Sequence, residues 1–535
     1  MNQPFKMPNN PELGFKEIES ELHAFEQAER HRLGLDKPSQ WQDQQSDAFT
    51  REQRGQTTIF FGGLTEAHDQ LLQDALTGLG YRVQALSCPD GDGLQLGKEF
   101  GNRGQCNPTY YTVGNLVKKL IQLRDKEGMT VEQINKNYVF LTASSCGPCR
   151  FGMYQTEYRK ALRDAGFDGF RVLTFQDGGD LSQSGGEEGV ALTPKFFITV
   201  IKTIIVADIL NQIGYRLRPY ELVTHSVDKA LDQCKQRIGQ ALRERSSLKR
   251  AMNDCHRLLS QIAVDRMQAK PKVAVIGEFF AMTTEGEANY RLQRFLESEG
   301  AEVEVQPITN WILYMMWDEH YNVRAATQLR RGEEKLRQLS PGTHQSERRP
   351  WLKQLSLTFS AYMIRRTFYS YARRLGLEGF HLADIQSLAD SARPYYHSEV
   401  SGGEAHMEVG KLIQAAEHRK AHLVVSVKPF GCMPSSAISD GIQTLVSAKH
   451  PEANFLAIET SGDGAVNVYS RVQMALFKVR ERAQREFQEA LQANGYDTEQ
   501  ARNLVRAKPR LSKATHYPRH RLACTAANAV SELAG

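Results

Sequence analysis

Short apolar, β-branched runs alternate with amphipathic helical patterns along this chain, and the whole alternation occurs twice. In the first round the strand-like runs are "TTIFFGG" (57–63), "YRVQALS" (81–87), "NYVFLTAS" (137–144) and "FRVLTFQ" (170–176). Between them lie the helical patterns "EAHDQLLQDALTGLG", "NPTYYTVGNLVKKLIQLRDKEG" and "MYQTEYRKALRDAGF". The second round starts at "PKVAVIGEF" (271–279) and passes through "AEVEVQP" and "HLVVSVKPF". It ends at "NFLAIET" (454–460), just before the long helix "VNVYSRVQMALFKVRERAQREFQEAL". Strands this apolar need cover on both faces, and a helix between successive strands makes them parallel. The expected fold is therefore α/β, with two doubly wound lobes of parallel sheet. Each lobe carries helical additions, at about 194–268 and 318–395. The expected segments are 1–56 (a helix near 10–32 and a polar linker), 57–268 (first lobe with its helical block), 269–485 (second lobe with its insertion) and 486–535 (the end of the C-terminal helix and a basic tail).

With 535 residues, 41% hydrophobic and 24% charged, the chain has the composition of an ordinary folded protein and room for two or three domains. A net charge of +5 is too small, averaged over that length, to imply nucleic acid as a partner. The most apolar run, "FFITVIKTIIVADIL" (196–210), is interrupted by Lys202 and Asp208. It is also shorter than the ~20 residues a bilayer requires. It is expected as a buried helix, and no membrane is expected as a partner. The stretch "MNQPFKMPNNPELGF" has no apolar core of a secretory signal, so a cytoplasmic setting is expected. Thiols stay reduced there, and grouped cysteines point to metal or catalysis before structural disulfides. Residues 502–521 hold seven Lys or Arg and no acid, and are expected as a solvated tail.

Eight cysteines are thus the first candidates: Cys88, Cys106, Cys146, Cys149, Cys234, Cys255, Cys432 and Cys524. In open parallel sheets, ligands gather beyond the carboxyl ends of the strands. Cys149 follows the strand "NYVFLTAS", with Gly147-Pro148 turning the chain into a helix, and Cys432 follows "HLVVSV" in "VKPFGCMPSS". Cys106 precedes the helix that starts near Pro108. A helix N-terminus favours the thiolate that binds metal, so two thiols from one lobe and one from the other could converge between the lobes. Cys234 and Cys255 sit inside helical patterns and are expected as packing residues; Cys88 lies in a loop, and Cys524 near the tail is uninformative.

Cys146 is open to two readings. With Cys149 it forms Cys-Gly-Pro-Cys, which suits a redox dithiol or two ligands of one cluster. The dithiol reading finds a proline in "LTPKF", but it needs a β-hairpin where "KFFITVIKTIIVADILNQIG" reads as a helix, and it leaves Cys106, Cys432 and the second lobe without a role. Neither a phosphate-binding P-loop nor a G-x-S-x-G elbow is present. The turn "ETSGDGAVN" (459–467) could hold an anion on free N–H groups or be a simple tight turn. The His and acidic residues of "HMEVGKLIQAAEHRKAH" are expected on a solvated face rather than in a zinc site.

Several stretches together resemble one family. "CGPCRFGMYQTEYRKALRDAGF", "KPKVAVIGEFF" with "NWILYMMW", "SGGEAHMEVGKL", "VKPFGCMPSSAI" and "NFLAIETSGDGAVNVYSRV" are similar to the 2-hydroxyacyl-CoA dehydratase-like proteins. They are closest to the branch described as CoA-substrate-specific enzyme activase-related. The resemblance spans roughly 57–480. It implies two Rossmann-like lobes with an iron–sulfur cluster in the interlobe cleft, of the four-iron, four-sulfur (4Fe-4S) kind or a double-cubane form. It implies Cys106, Cys149 and Cys432 as ligands, with Cys146 as an optional fourth. The implied chemistry is one-electron reduction of a thioester carbonyl to a ketyl radical that expels its β-substituent, or reduction of a small molecule. The electron would come from a separate ATP-hydrolysing activator, since no nucleotide-binding signature of that kind lies in 1–60. A second copy or a paralogue is expected as partner subunit, and the acyl-CoA substrate rests on the resemblance alone. Arg150, beside Cys149, is either a surface arginine or a donor to cluster sulfides, and Lys428 and Ser435 near Cys432 have the same two readings. The alternative of a different class is a non-catalytic metal or cluster scaffold.

Overall fold

The structure is a computed structural model that describes residues 11–33, 49–144, 149–175, 189–336, 350–397, 400, 405–450 and 453–533. The chain divides into residues 1–46 and 47–535. The first unit contributes the helix Pro11–Arg32, with ion pairs Arg30–Glu26 and Arg32–Glu29 along its surface.

The second unit is built on two four-stranded sheets, each parallel throughout. The first contains β1 (Thr58–Phe61), β2 (Val83–Ala85), β3 (Tyr138–Ala143) and β4 (Val172–Phe175), in the order β2-β1-β3-β4. The second contains β5 (Lys272–Gly277), β6 (Glu302–Val305), β7 (Leu423–Pro429) and β8 (Asn454–Thr460), in the order β6-β5-β7-β8. The two orders are the same. In each sheet the chain runs outward from the first strand to one side, then crosses to the other, so the switch point lies between β1 and β3 and between β5 and β7. Side chains of a strand alternate between faces, and the cores follow that rule. Phe60, Phe140 and Val172 pack under the helices Asn107–Asp125 and Tyr154–Asp164, whereas Ile59, Phe61, Val139 and Leu173 face the helices Glu66–Gly78 and Pro194–Leu217. In the second sheet Val273, Val275, Leu423, Val425 and Val427 lie under the helix Ala465–Asn494, and Ile276 and Val424 under Ala405–Glu417.

The two expected helical additions merge into one layer. Helices 194–217, 226–243, 248–260, 308–336 and 350–375 share a single apolar core that reaches both lobes. By length and composition the stretch Pro194–Tyr220 could cross a membrane, and 56% of its most apolar window is buried inside this protein. Asp208, which interrupts that apolar run, has a specific task. Its carboxylate accepts the backbone N–H groups of Ile308 (2.8 Å) and Thr309 (2.7 Å) and the Thr309 hydroxyl (2.6 Å), capping the helix Ile308–Leu336. His68 Nε2 stands 3.3 Å from the same carboxylate, and both side chains are buried. The cap therefore ties together three helices far apart in sequence.

Both ends of the second unit are more embedded than their polar sequences imply. Phe49, within the expected linker, is buried in the first lobe's core, and its carbonyl accepts the N–H of Gly189 (2.9 Å). The run 502–521 is largely solvated, as expected, but it is folded rather than a free tail, with Ala514, His516 and Pro518 buried. Tyr517 packs onto the second lobe, where it donates to Glu302, and Ala514 joins the core of the helical layer, its carbonyl accepting from Arg266 (2.6 Å). The Lys and Arg side chains of the run still point mostly to water. The apolar and aromatic residues between them bring the segment down, because burial outweighs the modest charge density.

Candidate functional site

The segments that leave the carboxyl ends of the strands in one lobe bond to those of the other. The Asn107 N–H donates to the Phe430 carbonyl at the end of β7 (3.0 Å), and its side-chain amide donates to the Thr460 carbonyl at the end of β8 (2.6 Å). Nearby, the N–H of Glu66 donates to Glu285 (2.7 Å) and that of Gly91 to Glu287 (2.8 Å).

Cys106, Cys149 and Cys432 each occupy the N-cap of a helical turn, with nearly the same extended backbone: φ/ψ of −76/153, −76/136 and −74/117. Cys106 opens Asn107–Asp125, Cys149 opens the short 3-10 turn Arg150–Met153, and Cys432 opens Met433–Ser436. Pro108 and Pro434 sit in the first turns after Cys106 and Cys432, where proline lacks only a donor that would be unused anyway. Cys149 and Cys432 follow β3 and β7, the strands at equivalent places in the two sheets.

Gly431 is what allows the lobes to meet here. Its φ is +75°, and a Cβ added to it would lie 3.1 Å from the Gln105 carbonyl and 3.3 Å from Cys106 Cα. The Arg150 guanidinium donates to the Gly104 carbonyl and lies 3.7 Å from the same Cβ position. Segments 104–106 and 430–432 therefore meet at one place, which the side chain of Arg150, the residue after Cys149, also reaches. Cys106 and Cys432 are buried and Cys149 is half-buried. Phe151 donates its N–H towards Cys149 Sγ (3.5 Å). Lys428 is largely buried in β7, opposite Glu459 of β8, and Ser435 is buried in the turn after Cys432. Cys146 lies outside the described residues.

Sequence reading missed the residues that hold Cys106. The hydroxyls of Thr109 and Tyr154 stand 3.2 and 3.3 Å from its sulfur, and both residues are buried. Burial, reinforced by the neighbouring thiol, pushes the Tyr154 phenol well above its ordinary range, so it stays protonated. Buried Glu157, one turn further along the helix, accepts from the Asn102 N–H (3.1 Å), the Asn102 amide (2.7 Å) and the Gln105 amide (3.0 Å), and so fixes the loop that delivers Cys106. The available signals were Thr109 at the third position after the N-cap, and the close spacing of Tyr154 and Glu157 after Cys149.

The other candidates separate from this group. Cys88, after β2, is exposed and places its thiol 3.8 Å from the Thr284 hydroxyl. Cys234 and Cys255 are fully buried between helices 226–243 and 248–260, and Cys524 is buried in the C-terminal core. In the turn 461–464, the N–H groups of Ser461 (3.0 Å) and Gly462 (3.1 Å) donate to the Tyr290 hydroxyl. The expected solvated face over 406–422 is corrected. His406, Glu408 and His422 are all buried, with Glu408 accepting from Ser426 and Gln443 (both 3.3 Å). The hairpin that a thioredoxin-like dithiol needs after Pro194 is instead a 24-residue helix.

Among the described residues, no three His, Cys, Asp or Glu side chains are grouped closely enough to hold a single metal ion. A four-iron cluster is wider than one ion and takes thiolates spaced around it. Three cysteines on separate turns, with glycine at the point of closest approach, suit that donor chemistry. No family model and no curated protein matches the chain.

Proposed function

We propose that this chain is a cytoplasmic iron–sulfur protein with its cluster in the interlobe cleft. It would take low-potential electrons from a separate ATP-hydrolysing activator and use them to dehydrate a 2-hydroxyacyl-CoA or reduce a small molecule. The single observation that carries the reading is that Cys106, Cys149 and Cys432 each cap a helical turn, on turns of both lobes, and that the Gly431-Cys432 turn lies against Cys106 with the Arg150 side chain reaching the same spot. A 4Fe-4S centre, or a double-cubane, held by Cys106, Cys149 and Cys432 would supply one-electron chemistry.

The chain's own residues then have distinct tasks. Glu157 and Gly431 position Cys106 and Cys432, and Arg150 braces the segment of Cys149 against the Gly104 carbonyl. Cys146 is the candidate fourth ligand. Lys428 and Ser435 lie close in sequence to Cys432 and are candidates for offsetting cluster charge. Met153, Phe430 and Met433 expose more than half of their surface beside the cysteines, which gives an activator or a partner subunit (a second copy or a paralogue) an apolar surface to dock on.

Anaerobic purification with iron and sulfide analysis tests the reading. About four irons per chain and a reduced-state EPR signal are expected. Cys106→Ala, Cys149→Ala and Cys432→Ala should each lose iron, and Cys234→Ala should retain it. Equal iron content in all four variants, or zinc alone in the parent protein, overturns the proposal.

A further inference from the structure

We infer that Tyr154 and Thr109 form a hydroxyl pair that donates to the Cys106 sulfur and draws charge from it as a ligand of the site. The inference rests on the cluster reading above but concerns residues that reading does not require. Cys106, Thr109 and Tyr154 are all at least nine-tenths buried, and both hydroxyls lie within hydrogen-bond reach of Sγ, at 3.2 and 3.3 Å.

The pair comes from two sources. Thr109 is three residues into the helix that Cys106 caps, whereas Tyr154 begins the helix that follows the turn of Cys149. Tyr154 thus carries the segment of one cysteine to the sulfur of another, 48 residues away.

A thiolate ligand that accepts hydrogen bonds gives less charge to its iron. The reduced cluster carries one more negative charge than the oxidised one, so the same bonds stabilise it more and raise the potential. In water-excluded surroundings this difference is weakly screened.

The test is an EPR-monitored redox titration of the anaerobically prepared full-length protein. Tyr154→Phe and Thr109→Val keep the volume and remove the hydroxyl. Each should retain its iron and lower the midpoint, with Tyr154→Phe moving it by about the 59 mV that a tenfold change in a one-electron equilibrium represents. Tyr158→Phe is the control. That phenol is equally buried on the same helix but bonds Thr112 and Thr142, and its loss should leave the midpoint where it was. Iron-loaded variants whose midpoints match the parent overturn the inference alone, as does a Tyr158→Phe shift equal to that of Tyr154→Phe. A parent protein without iron overturns the cluster reading, and this inference with it.

Discussion

Gly431 shows how much can depend on one residue. A side chain there must adopt a left-handed backbone and push against the Gln105 carbonyl and Cys106 Cα at once. Gly431→Ala is expected to cost on the order of 2 kcal/mol and to reduce iron retention, read as a lower Tm together with a lower iron content. Glu157 has a comparable role through polar bonds. Glu157→Ala leaves two amide side chains and one backbone N–H of the 102–105 loop without their acceptor. A loss on the order of 2 kcal/mol in urea unfolding is expected, with iron binding weakened more than in a surface control such as Glu132→Ala. Neither residue looks special in the chain. A glycine before a cysteine and a glutamate in a helix become informative only when residues tens or hundreds of positions away arrive beside them.

Among the elements, the helix 194–217 departs furthest from its sequence impression. It is apolar enough for a membrane, yet its polar interruption is a cap for another helix. Asp208→Ala should therefore destabilise the protein by on the order of 3 kcal/mol, because two buried N–H groups and a hydroxyl lose their acceptor beside buried His68. Asp208→Asn, which keeps one acceptor oxygen, should recover part of that loss; a chemical denaturation series across the two variants checks the order. The strands were legible because a fully covered strand must be apolar along its length, and Cys149 and Cys432 were legible because strand, turn and helix follow each other locally. The joining of the two helical additions into one layer was not legible. It depends on which apolar faces fit together across more than 100 residues, and many pairings would bury similar area.

For the whole molecule, the joint between the lobes should respond to pH. Burial pushes the Asp69 carboxyl up to about 6, against the pull of His68 and the Gly63 N–H, and Glu285 from the second lobe adds to the rise. A carboxyl whose folded-state pKa exceeds its ordinary value near 4 holds its proton more tightly when folded. Its contribution is fully present below pH ~4 and is lost as pH rises through 6. Asp69→Asn removes that dependence, so the fall in stability from pH 4 to pH 7 should be smaller in the variant than in the parent by on the order of 2 kcal/mol. Parallel urea titrations at the two pH values measure it, and identical slopes in the two proteins would count against Asp69 as the titrating group.

Hydrophobic periodicity by itself determined that this chain forms two parallel α/β sheets, and the turns after their strands determined where Cys149 and Cys432 lie. Both are local consequences of covering a strand and starting a helix. Only the tertiary structure decided that the basic tail folds back, that His406 and Glu408 are inside, and that Thr109, Tyr154 and Glu157 hold Cys106. Those outcomes depend on which surfaces come together, and a polar residue is buried or solvated according to whether a distant partner satisfies its hydrogen bonds.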